Sequence, residues 1–146
     1  MTIESQKPKL ILDTKPLIKL FASEAGWENV QRIMLLIENG DIEAGISVVT
    51  LTEIYYKYSH ENRVDLAKAR IADVRYAAAI KKYVIDEKIA AKASEFKGKY
   101  SIPIADAFIS ATAYYNNSIV ISDDIDFAKI KEVTVQTEQE FLSPDK

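Results

Sequence analysis

Short apolar runs parted by long helical stretches are the feature that most restricts how this chain can fold. Lys9-Leu-Ile-Leu-Asp13, Ile42 to Val49 and Ser118-Ile-Val-Ile-Ser122 are too short for helices and apolar enough to be strands buried in a sheet. Glu132-Val-Thr-Val-Gln136 reads as a further strand and Tyr83-Val-Ile85 as a short one. Between them lie helical patterns. Leu17, Ile18, Leu20 and Phe21 recur at helical spacing over 16–25, where Asp13 or Thr14 can cap and Pro16 suits the first turn. Val30, Ile33, Met34 and Ile37 make one stripe over 27–39, stopped by Asn39-Gly40. More helices are expected from about Leu51, over 62–79, over 87–97 with Asp86 as N-cap and Gly98 as the stop, and from Pro103 to Tyr115. A short terminal helix follows the last strand. Strands joined through helices form βαβ crossovers, so the expected fold is α/β: a mainly parallel four- to five-stranded sheet flanked by helices in three layers. No repeat or linker interrupts it, and one domain is expected over 1–146 with its core at about 9–142.

Composition narrows the chemistry. There is no cysteine, which excludes disulfides, zinc–cysteine sites and thiol nucleophiles. The single histidine, His60, sits in the polar stretch Ser59-His60-Glu61-Asn62 and reads as a solvated surface residue. A multi-histidine metal site is impossible, and any triad would hang on that one ring. A metal site must therefore be built from carboxylates, which suits magnesium or manganese. No apolar run reaches the length of a membrane helix, and MTIESQKPK has no signal-peptide core, so a cytoplasmic protein with no membrane partner is expected.

The acids fall at telling places. Asp106 lies in Ser101-Ile-Pro-Ile-Ala-Asp-Ala-Phe-Ile-Ser-Ala-Thr-Ala113, among residues suited to burial, where a lone carboxylate is costly unless paired or holding a metal. Asp13 ends the first strand. Asp123, Asp124 and Asp126 follow the strand at 118–122, and Glu53 lies about one turn into the helix after the second strand. In an open α/β sheet, ligands bind at the carboxyl ends of strands, where the following helices also start. Each residue has a plainer reading as well. Asp13-Thr14 suits a helix N-cap, Glu53 a first-turn acid, Asp126-Phe127 the start of a turn, Asp123 a solvated turn and Asp106 a paired structural acid. Tyr55, Tyr56 and Tyr58 fit helix packing or a dimer interface better than RNA stacking.

Taken together, the motifs resemble the PIN domain, and among PIN domains most closely a VapC-type toxin ribonuclease. Leu12-Asp13-Thr14 is similar to the family's first motif, and Leu51-Thr52-Glu53-Ile54-Tyr55 to its central one. Ala105-Asp106-Ala107-Phe108-Ile109-Ser110-Ala111-Thr112-Ala113 resembles the third motif, and Ile121-Ser-Asp-Asp-Ile-Asp-Phe127 the fourth, a strand ending in T-x-D-x-D-F. The likeness runs from about residue 9 to 142. Lys15 departs from it, standing where a Ser is usual; a lysine there can contact a phosphate or offset part of the acidic charge.

That resemblance implies a ribonuclease whose Asp13, Glu53, Asp106 and Asp124 hold Mg2+ or Mn2+, directly or through water, and serve as its catalytic residues. It selects Asp124 over Asp123, with Asp126 in second place and Thr14 and Ser122 as supporting hydroxyls. Crowded carboxylates raise each other's pKa, and a divalent cation relieves that while it activates a water against a phosphodiester. The implied partners are an RNA substrate of the tRNA or rRNA class, a cognate antitoxin protein and a second copy of the chain in a homodimer. The alternatives are a housekeeping RNA-processing PIN nuclease and an inactive PIN fold that binds RNA or protein. A haloacid-dehalogenase phosphatase is set aside, because its second Asp would fall at Lys15. The formal charge of −3 becomes +1 without the four acids, so Arg63, Lys68, Arg70, Arg75, Lys81 and Lys82 are candidates for a basic rim.

Overall fold

Strand β1, Lys9–Leu12, is the middle of the sheet, and its three apolar residues are buried on both faces. The computed structural model describes residues 7–143; the first six residues of MTIESQKPK lie outside them. After β1 come α1 (Thr14–Ala22), α2 (Trp27–Glu38), β2 (Glu43–Ser47), α3 (Val49–His60), α4 (Val64–Arg75) and β3 (Ile80–Tyr83). The chain continues through α5 (Glu87–Tyr100), α6 (Ile104–Tyr115) and β4 (Ile119–Ile121). A 3-10 turn (Ile125–Lys129), β5 (Val135–Gln136) and α7 (Glu138–Leu142) complete the described residues.

All strand pairs are parallel and the order is β3-β2-β1-β4-β5. From β1 the chain builds outward through β2 to β3, then crosses back by α5 and α6 to lay β4 on the other side of β1. The strand order therefore reverses between β1 and β4, and a crevice opens outside their carboxyl ends. Alternation along β1 divides the core. Leu10 and Leu12 join one cluster with Leu17, Ile33, Ile46 and Ile54, under α1 to α4. Ile11 points the other way, into a cluster with Phe96, Ala107, Ile109, Val120 and Phe127, under α5 and α6. The result is the three-layer α/β/α arrangement with five parallel strands.

Several boundaries differ from the sequence reading. Helix α1 spans 14–22 rather than 16–25, because Ser23 adopts a left-handed φ of 52° and stops it. Strand β2 ends at Ser47, whose hydroxyl accepts from the Val49 amide, so α3 begins before Leu51 and includes β-branched Val49. Helix α4 is shorter than 62–79, with Asn62 at φ 60° separating it from α3. Strand β3 is Ile80–Tyr83, not 83–85; it is an edge strand, where the charged Lys81 and Lys82 are tolerated and mask the apolar pattern. Helix α5 passes through Gly98 to Tyr100, held by buried Phe96, and ends at Ser101 with φ 54°. Tyr58 is buried in the first core cluster and cannot line an interface, whereas Tyr55 and Tyr56 are exposed. His60 is exposed as expected, stacked on Tyr56 with ring centroids 5.4 Å apart.

Gly45 is the position where the sheet leaves no room for a side chain. A Cβ there would sit 2.5 Å from the Tyr83 ring and 2.8 Å from the Lys81 carbonyl oxygen on the neighbouring strand. The ring could turn aside, but the carbonyl belongs to the β2–β3 ladder. Gly45→Ala is expected to cost about 2 kcal/mol, lowering Tm by roughly 5 °C. Urea and thermal unfolding measure it, and an unchanged Tm would show that β3 gives way freely.

Candidate metal centre

Five acids, Asp13, Glu53, Asp106, Asp124 and Asp126, converge on the crevice between β1 and β4, carried by a strand end, two helices and a loop. Asp13 follows β1 directly. Its amide donates to the Ile121 carbonyl at 3.1 Å, continuing the ladder, and its carboxylate caps α1 by accepting from the Thr14 amide at 2.7 Å. The other carboxylate oxygen accepts from the Ser122 hydroxyl at 2.7 Å, so both oxygens of this buried group are engaged. Ser122 in turn accepts from the Asp124 amide at 3.0 Å and thereby ties the loop after β4 to the end of β1.

Glu53 reaches the same place from α3. Its carboxylate accepts from the Thr14 hydroxyl, which also shares a hydrogen bond of 3.1 Å with the fully buried Thr50 hydroxyl. Thr50 is a member of this network that sequence reasoning passed over.

Asp106 lies in the first turn of α6, and it arrives at this edge because α6 must start there to deliver β4 in parallel. It is 6% exposed, flanked by fully buried Ala107 and Ile109. One carboxylate oxygen, Oδ2, is buried with no hydrogen-bond partner. Asp124 and Asp126 come from the loop after β4. An Asp124 oxygen accepts from the Asp126 amide at 3.0 Å and caps the 3-10 turn, and the fully buried Phe127 ring anchors that turn in the second core cluster. Asp126 also pairs with Lys129 at 3.1 Å.

Asp106, Asp124 and Asp126 each present a carboxylate oxygen, and these lie within 4.8 Å of one another. Asp126, the second-tier acid of the sequence reading, thus belongs to the tightest group, while Asp13 and Glu53 border it through hydroxyl contacts and charge. Asp123, read as a solvated turn acid, is exposed and also pairs with Lys19 at 3.1 Å. The six basic residues offered as a rim are divided between the α4 region and β3. Arg70 pairs with Asp73 and stacks on Phe21, and Lys82 donates to the Ala77 carbonyl.

Titration follows the crowding. Burial raises the Asp106 carboxyl to about 7, helped by the charges of Asp13, Asp124, Glu53 and Asp126. Burial likewise raises Asp13 to about 6, against the hydrogen bonds from Ser122 and Thr14 that favour its charged form. A buried oxygen without a donor beside four like charges is what a cation would satisfy, and hard carboxylate oxygens suit Mg2+ or Mn2+. The donor set fits a divalent metal.

The residues that form the crevice also carry a family signature: the PIN domain profile matches residues 10–133. The chain belongs to the PIN domain family. Nuclease activity is typical of PIN domains, which generally use divalent metals. No curated protein sequence matches this one. Among solved structures this PIN domain is similar to a DNA-bound VapBC from Salmonella typhimurium, at TM-score 0.72 and 16% identity, covering 90% of this chain and 98% of that one. A VapBC2 structure from Rickettsia felis bound to a promoter DNA fragment gives TM-score 0.71 and 16% identity, covering 88% and 98%. A toxin–antitoxin complex from Klebsiella pneumoniae gives 0.64 and 22%, covering 88% and 97%. At these identities the likeness is one of fold. No helix among the described residues is long and apolar enough to cross a membrane.

The raised carboxyls make the metal-free protein pH-dependent. Folded Asp106 and Asp13 bind protons more tightly than the ordinary value of 3.8, so the folded state holds more protons than the unfolded one between about pH 4 and pH 7. Their contribution to stability is therefore greatest at low pH and is lost as pH rises through that window. Asp106→Asn is expected to be more stable than wild type by on the order of 1–2 kcal/mol at pH 8, with a smaller gap at pH 5. Urea unfolding in chelator at the two pH values tests this, and equal gaps would mean that Asp106 is not strained by its neighbours.

Proposed function

We propose that this PIN domain is a divalent-metal-dependent endoribonuclease that hydrolyses RNA phosphodiester bonds, acting as the toxin of a VapBC-type pair. The observation that carries the reading is the convergence of Asp106, Asp124 and Asp126 within 4.8 Å, with the buried Asp106 Oδ2 left without a donor. In this reading Asp106, Asp124 and Asp126 present oxygens to Mg2+ or Mn2+, and Asp13 and Glu53 complete the acidic rim, directly or through water. A divalent cation held there supplies an acidified water at neutral pH and countercharge for the phosphodiester in its transition state. The protein's part is orientation. Ser122 and the Thr14 amide fix the Asp13 carboxylate, the Thr14 hydroxyl fixes Glu53, and buried Phe127 fixes the turn that aims Asp124 and Asp126.

The likeness to VapBC structures supports a cognate antitoxin as partner. A homodimer, a cytoplasmic location and a domain core over 9–142 belong to the same proposal. Exposed Tyr55 and Tyr56 on α3 are available for the dimer contact.

Incubation of the purified chain with total cellular RNA in Mg2+ or Mn2+ tests the reading. Wild type is expected to cleave, chelator to stop it, and Asp106→Asn to lower the rate by about 10²-fold or more, equivalent to several kcal/mol of transition-state stabilisation. Intact RNA in the presence of a wild-type protein that binds Mn2+ would refute ribonuclease activity and leave a metal-binding PIN fold.

A further inference from the structure

One partly buried ion cluster lies outside the acidic crevice yet touches the loop that supplies it. Lys19, in the last turn of α1, places its ammonium 3.1 Å from Asp123 and 2.5 Å from Glu138, the first residue of α7. The Lys19 side chain is 14% exposed and that of Glu138 is 5% exposed, whereas Asp123 is at 43%. Burial works against the Lys19 charge, but the hydrogen bonds it donates to Glu138 and Asp123 outweigh it and leave the amine more basic than usual. The ammonium is thus shared by two carboxylates.

Asp123 directly precedes Asp124. On its other side Ser122 is bonded to Asp13, and further along Phe127 is sealed into the core. Between those anchors the Asp124 amide is bonded to Ser122, while Asp123 itself is exposed and its side chain is held by the ion pair with Lys19. We propose that Lys19 is a positioning residue: through Asp123 it holds the β4 loop so that Asp124 and Asp126 face Asp106. This rests on the metal-site reading above and adds to it a residue with no contact to the metal or the RNA. It also makes α1 a two-ended brace, with Asp13 capping its start and Lys19 gripping the loop from its last turn. Glu138 supplies the second carboxylate that seats the ammonium in place.

The sign of the effect separates positioning from simple electrostatics. Deleting a positive charge near a cation site should tighten Mn2+ binding if only the field matters. If Lys19 positions the loop, Lys19→Met weakens Mn2+ binding by about 10-fold or more, the range typical for residues that orient metal ligands, and Lys19→Arg restores most of it. Should Lys19→Met fold poorly because Glu138 is left buried and charged, Lys19→Met with Glu138→Gln removes that charge and still leaves Asp123 untethered. The experiment is a Mn2+ titration of metal-free wild type, Lys19→Met, Lys19→Arg and the double variant, with circular dichroism as the folding check. Amide hydrogen exchange over 122–127 is read in the same samples. Weaker binding with faster exchange in the folded Lys19→Met or double variant supports the proposal. Equal or tighter binding with a wild-type affinity present overturns it and leaves the metal site standing. A wild type that binds no Mn2+ overturns the metal-site reading and this inference with it.

Discussion

The crowding of carboxylates around the buried Asp13 and Asp106 is the constraint around which this molecule is arranged. Burial first, and then the charges of Asp13, Asp124, Glu53 and Asp126, raise the Asp106 carboxyl to about 7. Left to local preferences, such groups would separate into water. They are kept together because each is anchored by apolar burial on its own element: Leu12 beside Asp13, Ile54 beside Glu53, Ala107 and Ile109 around Asp106, and Phe127 after Asp126. Each fully buried aliphatic or aromatic side chain contributes about 1.5–3 kcal/mol, so a few of them offset the repulsion while the two core clusters share the load.

The acids are not equivalent, and hydrogen bonding makes the difference. Both oxygens of Asp13 already accept bonds, from Thr14 and Ser122, which favour its ionised form and hold its orientation. Asp106 has the opposite environment, with one buried oxygen unpartnered and four neighbouring charges raising its pKa. A group satisfied by the protein is suited to organising a site; a group left unsatisfied is suited to receiving something. The short chain of contacts Asp13–Ser122–Asp124 links the two kinds, carrying the geometry of the strand end into the loop.

The elements that define the fold were legible where their patterns are local. The β1 and β4 runs, the Val30–Ile33–Ile37 stripe and the Asp86 cap all appear as the residues suggest, because each is set by periodicity or a side chain acting within its own element. What the pattern obscured is tertiary in origin. Edge strand β3 carries Lys81 and Lys82, because only one of its sides pairs, and Gly98 remains helical because Phe96 and Tyr100 pack beyond what a glycine disfavours. At the site, acids at strand ends could be picked out one by one. The pairing of Asp123 with Lys19 and the burial of Thr50 could not, since each depends on a partner tens of residues away in sequence.

Sheet register connects the core to the chemistry. Leu10, Ile11 and Leu12 pair with Ile119, Val120 and Ile121, which sets Asp13 level with Ser122. A slip of one residue would turn Leu10 and Leu12 out of their cluster and Ile11 out of the other, and would also carry Asp13 to the wrong face of the sheet. The burial that selects the register therefore selects the placement of the acids, with no separate device required. Core positions can then exchange one apolar residue for another while strand ends keep their carboxylates in line. That is a physical reason why chains only 16–22% identical to this one share its fold at TM-scores of 0.64–0.72.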